Sequence, residues 1–204
     1  LTIHFFDVGQ GDSTLVSSPS GEHMLVDGGP VNYYGSDAGE RIVVPALHSL
    51  KISSLDMVAA THPDADHIGG LLSVLQSFPI KKFFYNGQGE NKPVSELQEK
   101  LIQHIRNEKI RVFKTPSICK THMLGEVSIR ALHPCDWKQG FDSEADTNDN
   151  SLVLSINYKK VTVLLLGDIS ETIENKLIEQ GKLPQADLIN TPHHGSKTAS
   201  SAKL

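Results

Sequence analysis

Six consecutive residues constrain this chain more than any others. His62-Pro63-Asp64-Ala65-Asp66-His67 places two histidines and two aspartates side by side. The group follows the apolar run Met57-Val58-Ala59-Ala60, which reads as a short buried strand. It precedes Ile68-Gly69-Gly70-Leu71-Leu72, which reads as the start of a helix. A polar cluster at a strand-to-helix junction points its side chains into the crevice beyond the strand ends. Imidazole nitrogen and carboxylate oxygen together suit a divalent ion such as zinc or manganese. The cluster contains no thiolate, which argues against a structural zinc finger. The spacing divides the group, with His62 and Asp64 facing one ion and Asp66 and His67 another. Two ions about 3.5–4 Å apart would clamp a phosphoryl-type centre and activate a water. The competing reading is a solvated acidic turn in which Asp64 and Asp66 cap the following helix; the other motifs weigh against it.

Those motifs also fall at strand ends. Thr2 to Phe6 reads as a strand and leads into Asp7-Val8-Gly9-Gln10-Gly11-Asp12-Ser13, a tight turn. Strands over Thr14–Ser17 and His23–Val26 follow, and the second ends in Asp27-Gly28-Gly29. For Asp7 and Asp27, turn chemistry and support of a metal ligand from behind are equally good readings. Residues 39–50 have helical spacing, with Pro45 marking a kink or a first turn. Ser95-Glu96-Leu97-Gln98 has the pattern of a capping box for a helix running to about Asn107. His133 ends a strand and reads as structural or rim rather than ligand. The acidic loop 142–149 is placed to cover the site and ends in Asn148-Asp149-Asn150-Ser151. The buried strand Val161–Leu166 delivers Gly167-Asp168, and an acid there needs a cation or several donors. A last short strand, 186–190, delivers Thr191-Pro192-His193-His194-Gly195-Ser196.

The His62–His67 cluster resembles the His-x-His-x-Asp-His signature of the metallo-β-lactamase superfamily, with Asp64 in place of the second histidine. Phe6-Asp7-Val8-Gly9-Gln10-Gly11-Asp12-Ser13 and Pro192-His193-His194-Gly195-Ser196-Lys197 resemble the lactamase-like domain of ComEC/Rec2-type competence proteins. The likeness runs from Phe6 to Ser200, with its motifs in family order. It implies an α/β (α+β) fold, the four-layer αβ/βα sandwich, with two mostly antiparallel sheets facing each other. It implies a metal-dependent hydrolase of the phosphodiesterase or nuclease type with two divalent ions, zinc or manganese. His62 and Asp64 would hold one ion, Asp66, His67 and His194 the other, and Asp168 would bridge them. The catalytic candidates are Asp66, His193, Asn150 and Lys197, with Ser196 beside Lys197 for an anionic group. The implied substrate is single-stranded DNA or another phosphodiester. The implied setting is an extracytoplasmic domain attached to a bacterial membrane channel and acting in DNA uptake. Asn150 stands where many superfamily members carry a metal-binding histidine, so either Asn148 and Asn150 contact substrate or they brace the loop. A second reading is a phosphorylcholine esterase, with Tyr33, Tyr34, Trp137 and Phe141 supplying an aromatic cage. A third is a binding module with a catalytically weak site.

Composition excludes little. The chain has 204 residues, ample for one core, and reads as a single domain over 1–204. The family usually continues further, so a domain excised or truncated at its C-terminus is expected. A net charge of −5 does not suggest a broadly basic nucleic-acid surface, though bound cations would change the charge inside the site. Cys119 and Cys135 are free to pair or not, and fix no compartment. No apolar run is long enough for a membrane-spanning helix, and no signal peptide is visible.

Overall fold

The computed structural model describes residues 1–32, 35–136 and 140–204. Two sheets carry the chain. The first is β1 (Thr2–Phe5), β2 (Thr14–Ser17), β3 (His23–Val26), β4 (Met57–Ala59), β5 (Lys82–Tyr85) and β6 (Arg111–Lys114), in that spatial order. The second contains β7 (His122–Leu124), β8 (Val127–His133), β9 (Val153–Tyr158), β10 (Val161–Leu165) and β11 (Leu188–Ile189), in the order β11-β10-β9-β8-β7.

Period-2 alternation builds the layers. Successive strand residues point to opposite faces. Leu15, Leu25, Val58 and Phe83 pack outward, against helices α1 (Val44–Ser49), α3 (Leu71–Ser77) and α4 (Glu96–Asn107). Their neighbours Val16, Met24, Val26, Met57, Ala59 and Phe84 point inward, against Ile129, Ala131, Leu154, Ile156, Val163 and Leu165 of the second sheet. That sheet sends Val153 and Leu164 outward onto Ile173 and Leu177 of α5 (Glu171–Glu179). The result is helix, sheet, sheet, helix, the sandwich that the motifs imply.

The strand directions differ from expectation. In the first sheet β3–β4, β4–β5 and β5–β6 are parallel, so that sheet is mixed rather than mostly antiparallel. The reason is connectivity: stretches with helices lie between these strands, and such crossovers return the chain in the same direction. The second sheet has one parallel pair, β10–β11. Parallel strands end on the same edge, which brings the residues after β3, β4 and β5 together.

Local signals mostly behave as read. Residues 39–43 form a π-helical turn that runs into α1, with Pro45 in the first turn of that helix. Ser95 caps α4 by accepting the Gln98 N–H at 3.2 Å, while the Gln98 side chain accepts from Val94 N–H. Cys119 and Cys135 form a disulfide, tying the turn before β7 to the segment after β8.

The helix after β4 starts earlier than the sequence suggests. A short helix, α2, spans Ala65–Ile68, so Asp66 and His67 lie on its first turn. Asp64 occupies the N-cap position without a side-chain capping bond. Glycines let this region pack backbone against backbone. A Cβ on Gly70 would overlap the Gly28 carbonyl oxygen and the Gly39 backbone, and one on Gly28 would sit 2.6 Å from Leu71 N. Gly70→Ala is therefore expected to cost about 3 kcal/mol or more, because neither neighbour is a side chain that can swing away. A urea midpoint close to wild type would contradict that packing.

Candidate metal centre

The site is built from loop ends. Asp27, just beyond β3, has a left-handed backbone (φ +59°) and is buried. Its carboxylate accepts from Thr61 N–H at 2.8 Å and from the Thr61 hydroxyl at 2.7 Å. It also lies 2.8 Å from His67 Nδ1. That contact places a proton on Nδ1 and turns the Nε2 lone pair of His67 the other way. Gly167 (φ +54°) turns the chain after β10 and delivers Asp168, whose N–H donates to the Ser151 hydroxyl at 3.1 Å. The His193-His194 pair follows β11 on a turn in which both residues are left-handed.

These ends converge on one point. One ligand atom each from Asp66, His67, Asp168 and His194 lies within 4.8 Å of every other. His67 Nε2 is 3.3 Å from His194 Nε2 and 3.2 Å from Asp168 Oδ1. His194 Nε2 is 3.4 Å from an oxygen of Asp66 and 3.4 Å from Asp168 Oδ2. A tetrahedral ion bonded at about 2.0–2.1 Å separates its ligands by about 3.3–3.4 Å. The spacings suit such an ion better than charge-assisted hydrogen bonds, which are shorter. Two buried atoms here, Asp168 Oδ1 and His62 Nε2, have no hydrogen-bond partner. A buried lone pair without a hydrogen-bond partner is costly unless a cation meets it. The donor set therefore fits a divalent ion.

Protonation tells the same story. Hydrogen bonds to Asp12, Asp168 and Asp66 push His194 up to about 12. Burial opposes charge on His67, yet Asp27 and Asp168 draw it upward overall. The imidazoles hold Asp168 well below the usual carboxylate range despite its burial. A site of this kind attracts positive charge, and without a metal a proton supplies it. Only one proton fits between two Nε2 atoms 3.3 Å apart. His62, in contrast, is lowered to about 4 chiefly by burial, so its ring is neutral.

The other sequence candidates divide. His62 is buried, its ring 4.1 Å from that of His67, and its Nε2 is 3.8 Å from Asp64. Neither His62 nor Asp64 belongs to the four-residue cluster, and Asp64 accepts from the Thr147 hydroxyl at 3.2 Å. His193 stands at the rim, 4.0 Å from Asp168 and 3.4 Å from the Asn148 amide nitrogen. Lys197 is exposed beyond it. For Asn150 the loop-bracing alternative matches the contacts observed. It is fully buried; its amide donates to the Asp142 and Asp146 carbonyls and accepts from Asp142 N–H. It braces the 142–149 loop. His133 is buried and hydrogen-bonded to the Asp149 carbonyl at 2.7 Å, a structural role. Tyr33, Tyr34 and Trp137 lie outside the described residues, and Phe141 lines a separate cleft with Val94 and Lys114.

Two participants escaped the sequence reading. Asp12 lies 3.5 Å from His194 Nδ1 and accepts from the Asn190 amide at 3.2 Å, whereas Asp7 is exposed. Thr61 immediately precedes the motif, and its hydroxyl joins Asp27 to His62 at 2.7 and 3.1 Å.

Comparison with known proteins agrees with this geometry. The profile of the metallo-beta-lactamase superfamily matches residues 6–118, and the chain belongs to that superfamily, whose members are generally metal-dependent hydrolases. It is 26% identical to ComE operon protein 3 of Bacillus subtilis (strain 168), over 96% of this chain and 25% of that protein. It is 29% identical to Recombination protein 2 of Haemophilus influenzae, over 97% of this chain and 22% of that protein. The chain thus spans about a quarter of the length of these ComEC-type competence relatives. Among solved structures, Rm3 metallo-beta-lactamase superposes with a TM-score of 0.60 at 14% identity, covering 95% of this chain and 76% of that one. That likeness shows the fold alone.

Because the metal displaces the proton shared by His67 and His194, zinc binding at pH 7.5 is expected to release about one proton. Affinity is then expected to rise with pH between 6.5 and 8.5, since the carboxylates of Asp12, Asp168 and Asp66 hold the His194 imidazolium well above its ordinary range. Calorimetry in buffers of different ionisation enthalpy measures this, and a pH-independent affinity would contradict the assignment.

Proposed function

We propose that this chain is the hydrolytic domain of a ComEC-type DNA-uptake protein, a metal-dependent phosphodiesterase acting on single-stranded DNA. The carrying observation is the carboxylate-rich cluster of Asp66, His67, Asp168 and His194, in a chain that aligns almost end to end with competence proteins. The Cys119–Cys135 disulfide favours an oxidising, extracytoplasmic setting. Among the described residues no helix is long and apolar enough to cross a membrane, so a membrane channel would belong to other parts of the protein.

In this reading Asp66, His67, Asp168 and His194 would hold one ion, and His62 and Asp64, with Asp168, would hold a second. Divalent ions there supply Lewis acidity toward a phosphoryl oxygen and a water nucleophilic at neutral pH. The protein's own groups do the rest. Asp27 and Asp12 orient the two ligand imidazoles from behind. Thr147 fixes Asp64. His193, about a third exposed at the rim, is placed to give a proton to the departing oxygen. Lys197 is exposed on the same loop and meets a flanking phosphate. The intact cluster argues against the weak binding module.

The test is hydrolysis of fluorescent single-stranded DNA by the zinc- or manganese-loaded chain, beside a chromogenic phosphorylcholine ester. DNA cleavage is expected to fall at least about 100-fold in His67→Ala, which loses the central ligand. Cleavage of the choline ester alone would move the chain to the esterase class. Cleavage that survives in His67→Ala would detach activity from this site.

A further inference from the structure

Glu174 lies in α5 with no exposed surface, although a buried carboxylate is costly unless donors meet it. It is met by two backbone groups: Ser200 N–H donates to Oε1 and Ser201 N–H to Oε2, each at 2.7 Å. One turn earlier on the same helix, Glu171 N–H donates to the Thr198 carbonyl at 2.8 Å. These bonds fasten residues 198–201 to α5.

The fastened segment directly follows the strained one. His193, His194 and Gly195 run through left-handed backbone at φ +47°, +51° and +76°, which costs free energy at each non-glycine position. Such a turn persists only when its surroundings over-determine it. On its leading side, His193 N–H donates to the Gly167 carbonyl at 3.1 Å, next to Asp168. On its trailing side the restraint is α5. The histidine turn is therefore stretched between the Asp168 loop and the Glu174 carboxylate.

We propose that Glu174 is a positioning residue for the metal centre: its carboxylate clamps the chain behind the histidine turn and so holds His194 against His67 and Asp168. This rests on the reading of His194 as a metal ligand. The requirement is for a carboxylate. Glu174→Gln would keep one acceptor oxygen and turn an amide N–H toward a backbone N–H; Glu174→Ala would leave two buried donors unmet.

The experiment titrates zinc against a chromophoric chelator and records the visible spectrum of the cobalt-loaded chain. The variants are Glu174→Gln, Glu174→Ala, His194→Ala and the double Glu174→Ala/His194→Ala. Glu174→Ala is expected to weaken zinc binding about 10- to 100-fold, and Glu174→Gln by less, at about three- to tenfold. The double variant is expected to bind no more weakly than His194→Ala alone, because both changes act through one ligand. The cobalt bands of Glu174→Ala should shift toward those of His194→Ala. Zinc affinity within twofold of wild type in Glu174→Ala or Glu174→Gln, whatever the melting temperature, would overturn the proposal. So would independent, multiplying losses in the double variant. Wild-type affinity in His194→Ala would sink the ligand reading itself, and the proposal with it. Should the Glu174 variants fold poorly, the wild-type chain decides by amide exchange. Zinc is expected to slow exchange at Ser200 and Ser201 at least about tenfold, and equal rates with and without zinc would overturn the clamp.

Discussion

The Asp27 carboxylate is the tie on which the site depends. It accepts from Thr61 N–H and hydroxyl and contacts His67 Nδ1, joining the end of β3, the end of β4 and the first turn of α2. Asp27 itself has a left-handed backbone, and the adjoining Gly28 packs on the chain at Gly70 and Leu71. Fold and site are thus coupled by distance. Were the Gly28, Gly39 and Gly70 backbones unable to approach, the helix carrying Asp66 and His67 would not sit over Asp27.

The two halves of the sandwich meet at the cluster. The first sheet contributes Asp66 and His67, and the second contributes Asp168 and His194. The inner core of Met24, Met57, Phe84, Leu154 and Ile156 sets how closely the sheets approach. Burial of that apolar surface, at roughly 25 cal/mol per Å², offsets the cost of gathering carboxylates in one place. The divided origin of the ligands also makes the centre sensitive to anything that shifts one sheet edge against the other.

Much of this was legible in the residues. The unbroken apolar runs Leu15-Val16, Met24-Leu25-Val26 and Met57-Val58-Ala59 encode strands covered on both faces, and the acids and histidines at strand ends mark the edge where chemistry sits. What escaped depends on distant packing. Asp7 and Asp12 are equivalent on paper, and only the approach of the β11 segment makes Asp12 the one beside His194. For Asn150 substrate contact and loop bracing were both open; its amide satisfies the 142–146 backbone, and nothing local in the sequence fixes that orientation. The parallel pairs were missed because strand direction is set by crossovers rather than by strand composition. The α2 start was missed by three residues, although Pro63 followed by Asp64 is a fair helix-start signal.

The most direct test locates the ion. Crystals of the chain soaked in zinc or manganese, with anomalous scattering recorded at the metal edge, would place it without reference to activity. A peak is expected about 2.0–2.2 Å from His67 Nε2, His194 Nε2 and one oxygen each of Asp66 and Asp168. A fully soaked crystal with no peak there, or with its ion bound only to surface groups, would show that these four side chains are not a cation site.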